Sequence, residues 1–527
     1  MISSTTTRAV SPAPRPPRAL PAPAALPLLP AVLLAVVAGF VLTGSFPGLG
    51  WWPLAFVGTA LMLWSLIGRT FLSGVLVGLF GGFSFFGSLV LWSTVYLGPV
   101  PWLALSSATT VFFAAGTGLI AVVWRWAPVL WPTRLGRLGL VPLIVAGVWL
   151  TREAVISVWP WGGFSWGRLS FSQSESPFGH LAAYLGASGL SFLIAWLCAL
   201  LLQLARERTA PWSLRGGLAV AAVAGVLAVP AWPTPASGSI RVAAVQGDSD
   251  SGLFAQHRPG EILQDHISGT LPLIGQPIDL VVWPENASDL DPLRYPQAAD
   301  ALDYLSANIG APIVTGTITQ DGDKTYNSVL LWEAGKGAVA QYDKMHPVPF
   351  AEYLPDRDFF YPLAPDLFKL VPRDYSIGTR PNVFDIDGVK AGIAICFDIV
   401  DDSLIQRMAD GGAQLILAPT NNADFGHTDE SAQQLAIARL RAIETGRSLV
   451  NISTVGTSAI IAPDGSTIDR LPVFEPGSMV AEVPLSTAVT PAMAAVRGPE
   501  WLGCGIGLAG LLMSLGAARG SRRRRED

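Results

Sequence analysis

The chain has 527 residues, of which 50% are hydrophobic and only 14% are charged, and its mean hydropathy is +0.44. Because soluble domains usually carry about a quarter of charged residues, this composition excludes a disordered chain, a fibrous protein and an ordinary cytosolic enzyme, and indicates membrane-spanning segments. Residues 1–232 hold 12 arginines against three acids, residues 233–500 hold 17 basic against 34 acidic residues, and residues 501–527 hold five arginines against two acids. The acidic central segment argues against nucleic acid as a partner.

The first 23 residues are rich in Ser, Thr, Pro, Ala and Arg, which predicts a disordered tail. Seven apolar runs then predict a membrane domain over residues 24–232, and an eighth run predicts one more span over 501–518, before a basic tail at 519–527. Since a span needs about 20 apolar residues, the short first, seventh and eighth runs have uncertain ends. The eight runs are Leu26–Leu42, Trp52–Ile67, Phe71–Tyr96, Trp102–Trp124, Leu140–Val158, Leu181–Leu204, Leu218–Trp232 and Leu502–Ala517.

Arginines between the spans predict the orientation of the chain. If the N-terminus is cytoplasmic, 15 arginines lie on the inner side, whereas only Arg152 and Arg168 lie on the outer side. Arginine-rich connections remain in the cytoplasm. We therefore expect a multi-pass protein of the cell membrane, with residues 233–500 on the extracytoplasmic face and the basic tail inside.

Residues 233–500 alternate between strand-like and helix-like segments, which predicts one α/β domain with a sheet core. The helical pattern covers Tyr295–Asn308 and Asp429–Glu444. The short β-branched segments are Ile240–Gln246, Leu280–Trp283, Ile313–Thr319, Ser328–Trp332, Gly392–Ile395, Leu415–Ala418 and Leu449–Ile452.

One cysteine of this domain ends the apolar segment Gly392–Ile395 and precedes helix-like sequence. Cys396 thus lies at a predicted strand-to-helix turn, where a nucleophile is exposed and backbone N–H groups converge. Taken alone, it also fits a small buried hydrophobic position. A spare thiol on an outer face would risk oxidation, which favours a function for it. The three cysteines of the chain are too few for a disulfide framework.

Three ionisable residues are further candidates. Glu285 follows the strand-like segment Leu280–Trp283, where apolar surroundings raise the pKa of a carboxyl and suit it to take a proton from a thiol. Lys344 ends another strand-like segment, where a fixed ammonium stabilises a thiolate or an oxyanion. Glu352 lies in a rigid loop between two prolines. Each of the three, taken alone, also fits an ordinary solvated acid or surface lysine.

Taken together, Glu285, Lys344 and Cys396 resemble the catalytic triad of the nitrilase superfamily, in the same order and each at a strand end. Residues 419–426 and 433–447 resemble that superfamily's loop and helix after the nucleophile, and residues 454–465 its closing hairpin. With spans on both sides of this domain and the aromatic, glycine-rich loop at 159–164, the chain is similar to the apolipoprotein N-acyltransferase family. The resemblance implies a nitrilase-like α-β-β-α sandwich joined to a helical membrane domain.

The resemblance also implies an acyltransferase reaction. A fatty acyl chain would pass from a membrane phospholipid to a thioester on Cys396, and then to the N-terminal amine of the S-diacylglyceryl cysteine of an apolipoprotein. In this scheme Glu285 is the base, Lys344 and the N–H of Phe397 stabilise the oxyanion, and Glu352 holds Lys344 in place.

This sequence departs from the family pattern at four positions. Phe397 and Asp398 stand where the family often has Tyr-Glu, Ala351 where it often has Gly, and Asp424 where it often has Trp. Because the nucleophile's neighbours contact substrate in the family, Phe397 and Asp398 are expected to be supporting or substrate-binding residues. The departures are expected to affect acyl-chain and acceptor preference.

The remaining expectations concern ligands and alternatives. The five histidines show no metal-ligand spacing, so we expect neither a metal nor an organic cofactor, and a monomer that meets phospholipid and a diacylated lipoprotein in the membrane. The apolar segment 359–363 fits either a membrane-dipping lid or ordinary core packing. A membrane-tethered amidase that uses water stays an alternative to the transferase. A transporter or receptor is disfavoured because few charges lie within the spans.

Overall fold

The computed structural model describes residues 21–249, 256–369 and 374–526, so the tail predicted over residues 1–23 lies outside the described residues except for its last three. The apolar N-terminal region folds into a helical domain, completed by a helix from the C-terminal end of the chain. Its helices are α1 (Leu28–Thr43), α2 (Leu54–Leu66), α3 (Phe71–Leu89), α4 (Ser93–Leu97), α5 (Pro99–Leu130), α6 (Val141–Ile156), α7 (Ala182–Arg206), α8 (Trp212–Leu227) and α16 (Gly498–Glu526).

Within the described residues, five helical stretches are long and apolar enough to cross a membrane, and α1, α2 and α8 are shorter apolar helices. Each of the eight predicted apolar runs is helical. The predicted run Phe71–Tyr96 is divided between α3 and α4. The helix at the predicted run Leu218–Trp232 is displaced towards the N-terminus: α8 begins at Trp212, directly after Pro211, and ends at Leu227. The five stretches are Phe71–Leu89, Pro99–Leu130, Gly136–Ile156, Gly179–Arg206 and Gly498–Arg519.

The chain between α8 and α16 forms an α/β domain. Its strands are β1 (Gly238–Gln246), β2 (Leu280–Val282), β3 (Ile313–Asp321), β4 (Lys324–Glu333), β5 (Gly337–Asp343), β6 (Val383–Ile386), β7 (Val389–Ile393), β8 (Leu415–Thr420), β9 (Ser448–Ser453), β10 (Ala459–Ile461), β11 (Thr467–Arg470) and β12 (Gly477–Leu485). Its helices are α9 (Glu261–Thr270), α10 (Pro296–Ile309), α11 (Arg357–Phe360), α12 (Pro365–Phe368), α13 (Asp402–Asp410), α14 (Glu430–Thr445) and α15 (Pro491–Ala495).

These strands form two sheets of six, in the orders β12-β1-β2-β3-β4-β5 and β11-β10-β9-β8-β7-β6. Strands β1, β2 and β3 are parallel in the first sheet, and β7, β8 and β9 are parallel in the second. Side chains such as Val282, Ile393 and Leu417 form one apolar core in which both sheets take part, and α10 covers the outer face of the first sheet through Leu302 and Leu305. The predicted α-β-β-α sandwich is confirmed.

Helix α14 joins the two domains. Buried side chains of α13 and α14 belong to the same apolar cluster as those of α3 and α7, so the second sheet's helical layer packs directly on the helical domain. Gln433 of α14 accepts hydrogen bonds from Trp92 Nε1 (3.2 Å) and Trp166 Nε1 (2.6 Å), and its own Nε2 donates to the carbonyl of Leu89 (3.2 Å). An amide that makes three buried hydrogen bonds fixes the register of the contact.

A second contact of α14 lies where α7 is interrupted. Gly186 has φ 67° inside α7, a conformation that glycine adopts without strain. The helix restarts at Ala187, whose backbone N–H donates to Glu444 Oε1 of α14 (2.9 Å). A side chain of the α/β domain therefore satisfies a backbone donor that the break leaves without a helical partner.

Candidate active site

Lys344 lies at the centre of a buried group of ionisable side chains. It follows β5 and is 1% exposed, and its Nζ is 3.2 Å from Glu285 Oε1 and 2.9 Å from Glu352 Oε2. Burial alone would lower its pKa, but the negative charges of Glu285 and Glu352 outweigh burial and hold that pKa well above the ordinary value. The group is an ammonium at neutral pH, as a stabiliser of negative charge must be.

The two carboxylates are held by polar groups of the first sheet and its loop. Asn327 of β4 donates from Nδ2 to Glu285 Oε1 (2.6 Å) and to Glu352 Oε1 (3.1 Å). The backbone N–H of Val348 donates to Glu352 Oε2 (2.7 Å). Glu285 itself lies three residues past the end of β2 and is 3% exposed. Because hydrogen bonds fix both carboxylates, the geometry around Lys344 is preorganised.

Cys396 begins a short 3-10 turn, three residues past the end of β7, and has a φ of 49°. Such a backbone conformation is uncommon for a non-glycine residue and often marks a functional turn. Burial and then the charge of Glu285 raise the pKa of its thiol, while Lys344 and a hydrogen bond with Thr420 act in the opposite direction. The resting sulfur is therefore protonated, so a nucleophilic attack by it would need a base that removes this proton.

The structure thus brings together the residues on which the sequence prediction rests. Glu285, Lys344 and Glu352 are in direct contact, and the charges of Glu285 and Lys344 both act on the thiol of Cys396. Polar groups that sequence analysis missed complete the group. Asn327 is buried within strand β4, where an inward-facing polar side chain was the only available signal, whereas Thr420 ends β8, in the 419–426 stretch that resembles the superfamily's loop but was given no role.

Asp398 supports, from inside the protein, the turn Cys396–Val400, which is called the nucleophile turn below. It is fully buried, and its carboxylate accepts hydrogen bonds from Tyr342 Oη (2.9 Å), the N–H of His346 (2.9 Å) and the N–H of Ile395 (3.1 Å). Burial raises the pKa of this carboxyl to about 6. Because both oxygens are occupied within the protein, the side chain positions the turn, so of the two predicted roles the structure favours support over substrate contact.

Phe397 joins the nucleophile turn to the helical domain. Its ring, 6% exposed, stacks on the rings of Phe164 and Trp166, with centroid distances of 6.1 and 6.2 Å and interplanar angles of 17° and 12°. Both partners belong to the loop between α6 and α7, the aromatic, glycine-rich loop of the sequence. The ring therefore holds Cys396 against the apolar helices, and its side chain too has a supporting position.

Arg441 of α14 clamps the same turn. Its guanidinium donates to the carbonyls of Ile399 (3.0 Å) and Val400 (2.9 Å), and it pairs with Asp402 (2.7 Å) and Glu444 (2.6 Å) while being fully buried. Asp402 pairs in addition with Arg168 of the helical domain (2.8 Å). The turn that carries the nucleophile is thus fixed from α14 and from the apolar domain together.

We expect Arg441→Lys to slow the first chemical step at Cys396 by about 10²-fold. Lysine cannot reproduce the forked set of donors that holds the turn, and a displacement of the reacting group by about 1 Å lowers a rate by this factor. The rate of that step is measured by labelling Cys396 with a reagent that resembles the substrate and forms a thioester with the thiol. The control is Arg439→Lys on the same helix, because Arg439 bonds the β10–β11 turn at Gly465 and not the nucleophile turn. Equal labelling rates for Arg441→Lys and the wild type would show that Arg441 does not position the turn for this step.

The apolar segment at 359–363 has features of both expected roles, internal packing and contact with lipid. Phe360 packs on Phe350 and on Trp161, with ring centroids 4.9 and 5.4 Å away. Phe359 and Leu363 are 66% and 68% exposed, so they present an apolar surface outside the core. Trp161 also donates to Asp356 (2.8 Å), which ties the aromatic loop of the helical domain to this segment. Core packing anchors the segment, while its exposed side chains keep the lipid-contact interpretation.

Comparisons with known proteins match both domains. Residues 241–490 match the carbon-nitrogen hydrolase family, and residues 38–200 match the apolipoprotein N-acyltransferase N-terminal domain. The apolipoprotein N-acyltransferase of Mycolicibacterium smegmatis is 35% identical over 500 residues, which cover 87% of this chain and 80% of that protein. That of Photobacterium profundum is 28% identical over 487 residues, covering 87% and 90%. A solved structure of an amidase from Nesterenkonia sp. is 18% identical to this chain. The match covers 51% of this chain and 97% of that chain, with a TM-score of 0.38.

Proposed function

Since the chain belongs to the apolipoprotein N-acyltransferase family, we propose that it transfers a fatty acyl chain from a membrane phospholipid to the N-terminal amine of the diacylglyceryl cysteine of an apolipoprotein. The observation that carries the proposal is the buried Glu285–Lys344–Glu352 group. The charges of Glu285 and Lys344 act on the Cys396 thiol, at a turn packed against the apolar helical domain. Acyl transfer between two lipids needs this combination of a nucleophile, a base and a membrane-adjacent position.

The first half-reaction loads the enzyme. Glu285 takes the proton of the Cys396 thiol while the sulfur attacks the ester carbonyl of the phospholipid. An ammonium has three N–H groups, and since two of them serve Glu285 and Glu352, the third is left for the sulfur or the developing oxyanion. The N–H of Phe397, at the start of the helical turn, supplies a second donor. Glu285 returns the proton to the departing lysophospholipid, and the acyl chain remains as a thioester.

The second half-reaction passes the chain to the acceptor. The α-amine of the diacylglyceryl cysteine attacks the thioester carbonyl, the same two donors stabilise the oxyanion, and the Cys396 sulfur leaves and regains a proton through Glu285. Glu352 keeps the Lys344 ammonium in place through both halves, since it binds Nζ without facing the sulfur's proton. This order of events is a ping-pong reaction with an acyl-enzyme intermediate.

The position of the turn explains why the reaction can use lipids. Phe397 and Ser165 bind the nucleophile turn to the helical domain, with Ser165 Oγ donating to the carbonyl of Val400 (3.1 Å). With the arginine distribution of the sequence, we propose a multi-pass membrane protein whose α/β domain, residues 233–500, faces the extracytoplasmic side, flanked by the membrane domain at 24–232 and the span at 501–518. Phospholipid and lipoprotein then approach in the same outer leaflet, and a monomer suffices for the reaction.

The proposed function is tested with the full chain in detergent or vesicles of defined phospholipid. Purified protein receives phospholipid first and a synthetic diacylated lipopeptide second, and mass spectrometry follows the protein, the lysophospholipid and the peptide. We expect one acyl adduct on the protein, one lysophospholipid for each adduct and an N-acylated peptide. Release of free fatty acid with no acylated peptide would identify a water-using hydrolase instead.

A further inference from the structure

One buried acid of the site has no part in the scheme above. Glu430 is the first residue of α14 and is 3% exposed. Its Oε2 has no hydrogen-bond partner in the part of the chain that the structure describes. A buried carboxyl oxygen without a partner is energetically costly, and proteins retain such groups mainly where a ligand or a reaction uses them.

Glu430 interacts electrostatically with two groups of the site. Its charge acts on the thiol of Cys396, and the charge of Glu285 acts on Glu430. The first of these partners lies in the turn after β7, and the second follows β2. Burial first, and then the charge of Glu285, raise the pKa of this carboxyl to about 8. A helix N-terminus would lower that pKa, so burial prevails here.

The second half-reaction needs one more proton acceptor than the Glu285–Lys344 pair provides. An α-amine has a pKa of about 8, so at neutral pH the acceptor arrives as an ammonium, which has no lone pair with which to attack. It must lose one proton before the attack and another as the amide forms. Glu285 can return only the second of these protons to the Cys396 sulfur, and the first has to leave the site by another route.

We propose that Glu430 is a catalytic residue of the second half-reaction, whose ionised form binds the acceptor's ammonium and takes its first proton. Because this carboxyl is neutral in most molecules at pH 7, the ionised minority carries the reaction, and that minority grows as the pH rises. This assignment rests on the proposed function. The neutral amine then forms the C–N bond, its second proton passes to Glu285, the C–S bond breaks, and the sulfur takes that proton from Glu285. Glu430 finally releases its proton to water. The acyl-enzyme and the ammonium thus give free thiol, amide and one proton, so atoms and charge balance.

The test is Glu430→Gln in the full chain, with the two half-reactions measured separately. We expect the acyl adduct and lysophospholipid to form within about threefold of the wild-type rate, because the acceptor takes no part in this step. Transfer to the diacylated lipopeptide at pH 7 should fall by about tenfold, because only about one acceptor amine in ten is already uncharged at that pH. The defect should shrink as the pH rises above about 8, since the acceptor then arrives uncharged.

Two further measurements separate this role from a structural one. Hydroxylamine is uncharged at neutral pH, so it should discharge the acyl-enzyme of Glu430→Gln as fast as that of the wild type. Glu430→Asp keeps a carboxylate and should recover part of the transfer rate. Transfer by Glu430→Gln at the wild-type rate overturns the assignment, and so does a parallel loss of adduct formation or of hydroxylamine discharge. Failure of the wild type to form an adduct would instead remove the proposed function itself.

Discussion

Cys396→Ala should form no acyl adduct and should lower acyl transfer to a diacylated lipopeptide by at least about 10⁴-fold, as expected when the nucleophile of a covalent mechanism is removed. The loss follows from the position of Cys396, which starts the 3-10 turn that Arg441 and Phe397 hold. Among the described cysteines, it is the one whose thiol interacts with the charges of Glu285 and Lys344. Mass spectrometry of the intact protein and product analysis measure both effects.

Cys504→Ser is the matched control for that variant. Cys504 is a buried cysteine of α16, in the helical domain, and its thiol interacts with Thr151 of α6. The control should load and transfer at the wild-type rate. Acylation of the lipopeptide by Cys396→Ala at a rate near that of the control would show that no thioester on this residue lies on the reaction path.

Lys344→Met should slow formation of the acyl adduct by about 10³-fold. In the proposed mechanism the ammonium donates directly to the oxyanion, and loss of one such donor lowers a rate by about 10²–10³-fold. The substitution also leaves Glu285 and Glu352, both held by Asn327, without the positive charge between them, which disturbs the position of the base. Quenched-flow measurement of the lysophospholipid burst tests this step directly.

The matched control is Lys336→Met, which removes a solvent-exposed lysine from the turn between β4 and β5. Among the described residues, Lys336 forms an ion pair with Glu333 on the surface, where solvent screens the charges, so the burst of this variant should equal that of the wild type. An unchanged burst in Lys344→Met would take Lys344 out of the chemical step and leave it a structural partner of the two acids.

The sequence predicted the architecture well where hydrophobic periodicity was strong. All eight apolar runs are helical, and the seven predicted strands are present with ends within a few residues of the prediction. Strand β12 was not predicted, because charged and small residues interrupt its hydrophobic alternation and its partner is the distant strand β1. Strand β6 was not predicted either, although the Asp387-Gly388 turn that joins it to β7 is a sequence signal for a hairpin. The break at Gly186 was not predictable either, since the hydrophobic pattern of α7 continues through it and only α14 reveals its purpose.

Site prediction succeeded where residue type and strand position coincided, as for Glu285, Lys344 and Cys396. Site prediction was less informative for Asp398. The sequence indicates a polar neighbour of the nucleophile, whereas the structure shows a buried carboxylate that accepts hydrogen bonds from one side-chain donor and two backbone donors. Glu430 gave no signal, because an acid in the first turn of a polar helix usually caps that helix in solvent. Its burial depends on how α14 meets the two sheets, and that packing is a property of the whole fold.

The contact between Glu444 and Ala187 joins residues 257 positions apart in the chain. A ribosome that has delivered α7 to the lipid bilayer has therefore not yet made the side chain that completes the restart of that helix after Gly186. The same delay separates Leu89 from Gln433, 344 positions later. The early hydrophobic helices consequently reach their final arrangement only after the late segment has been translated and has folded upon them.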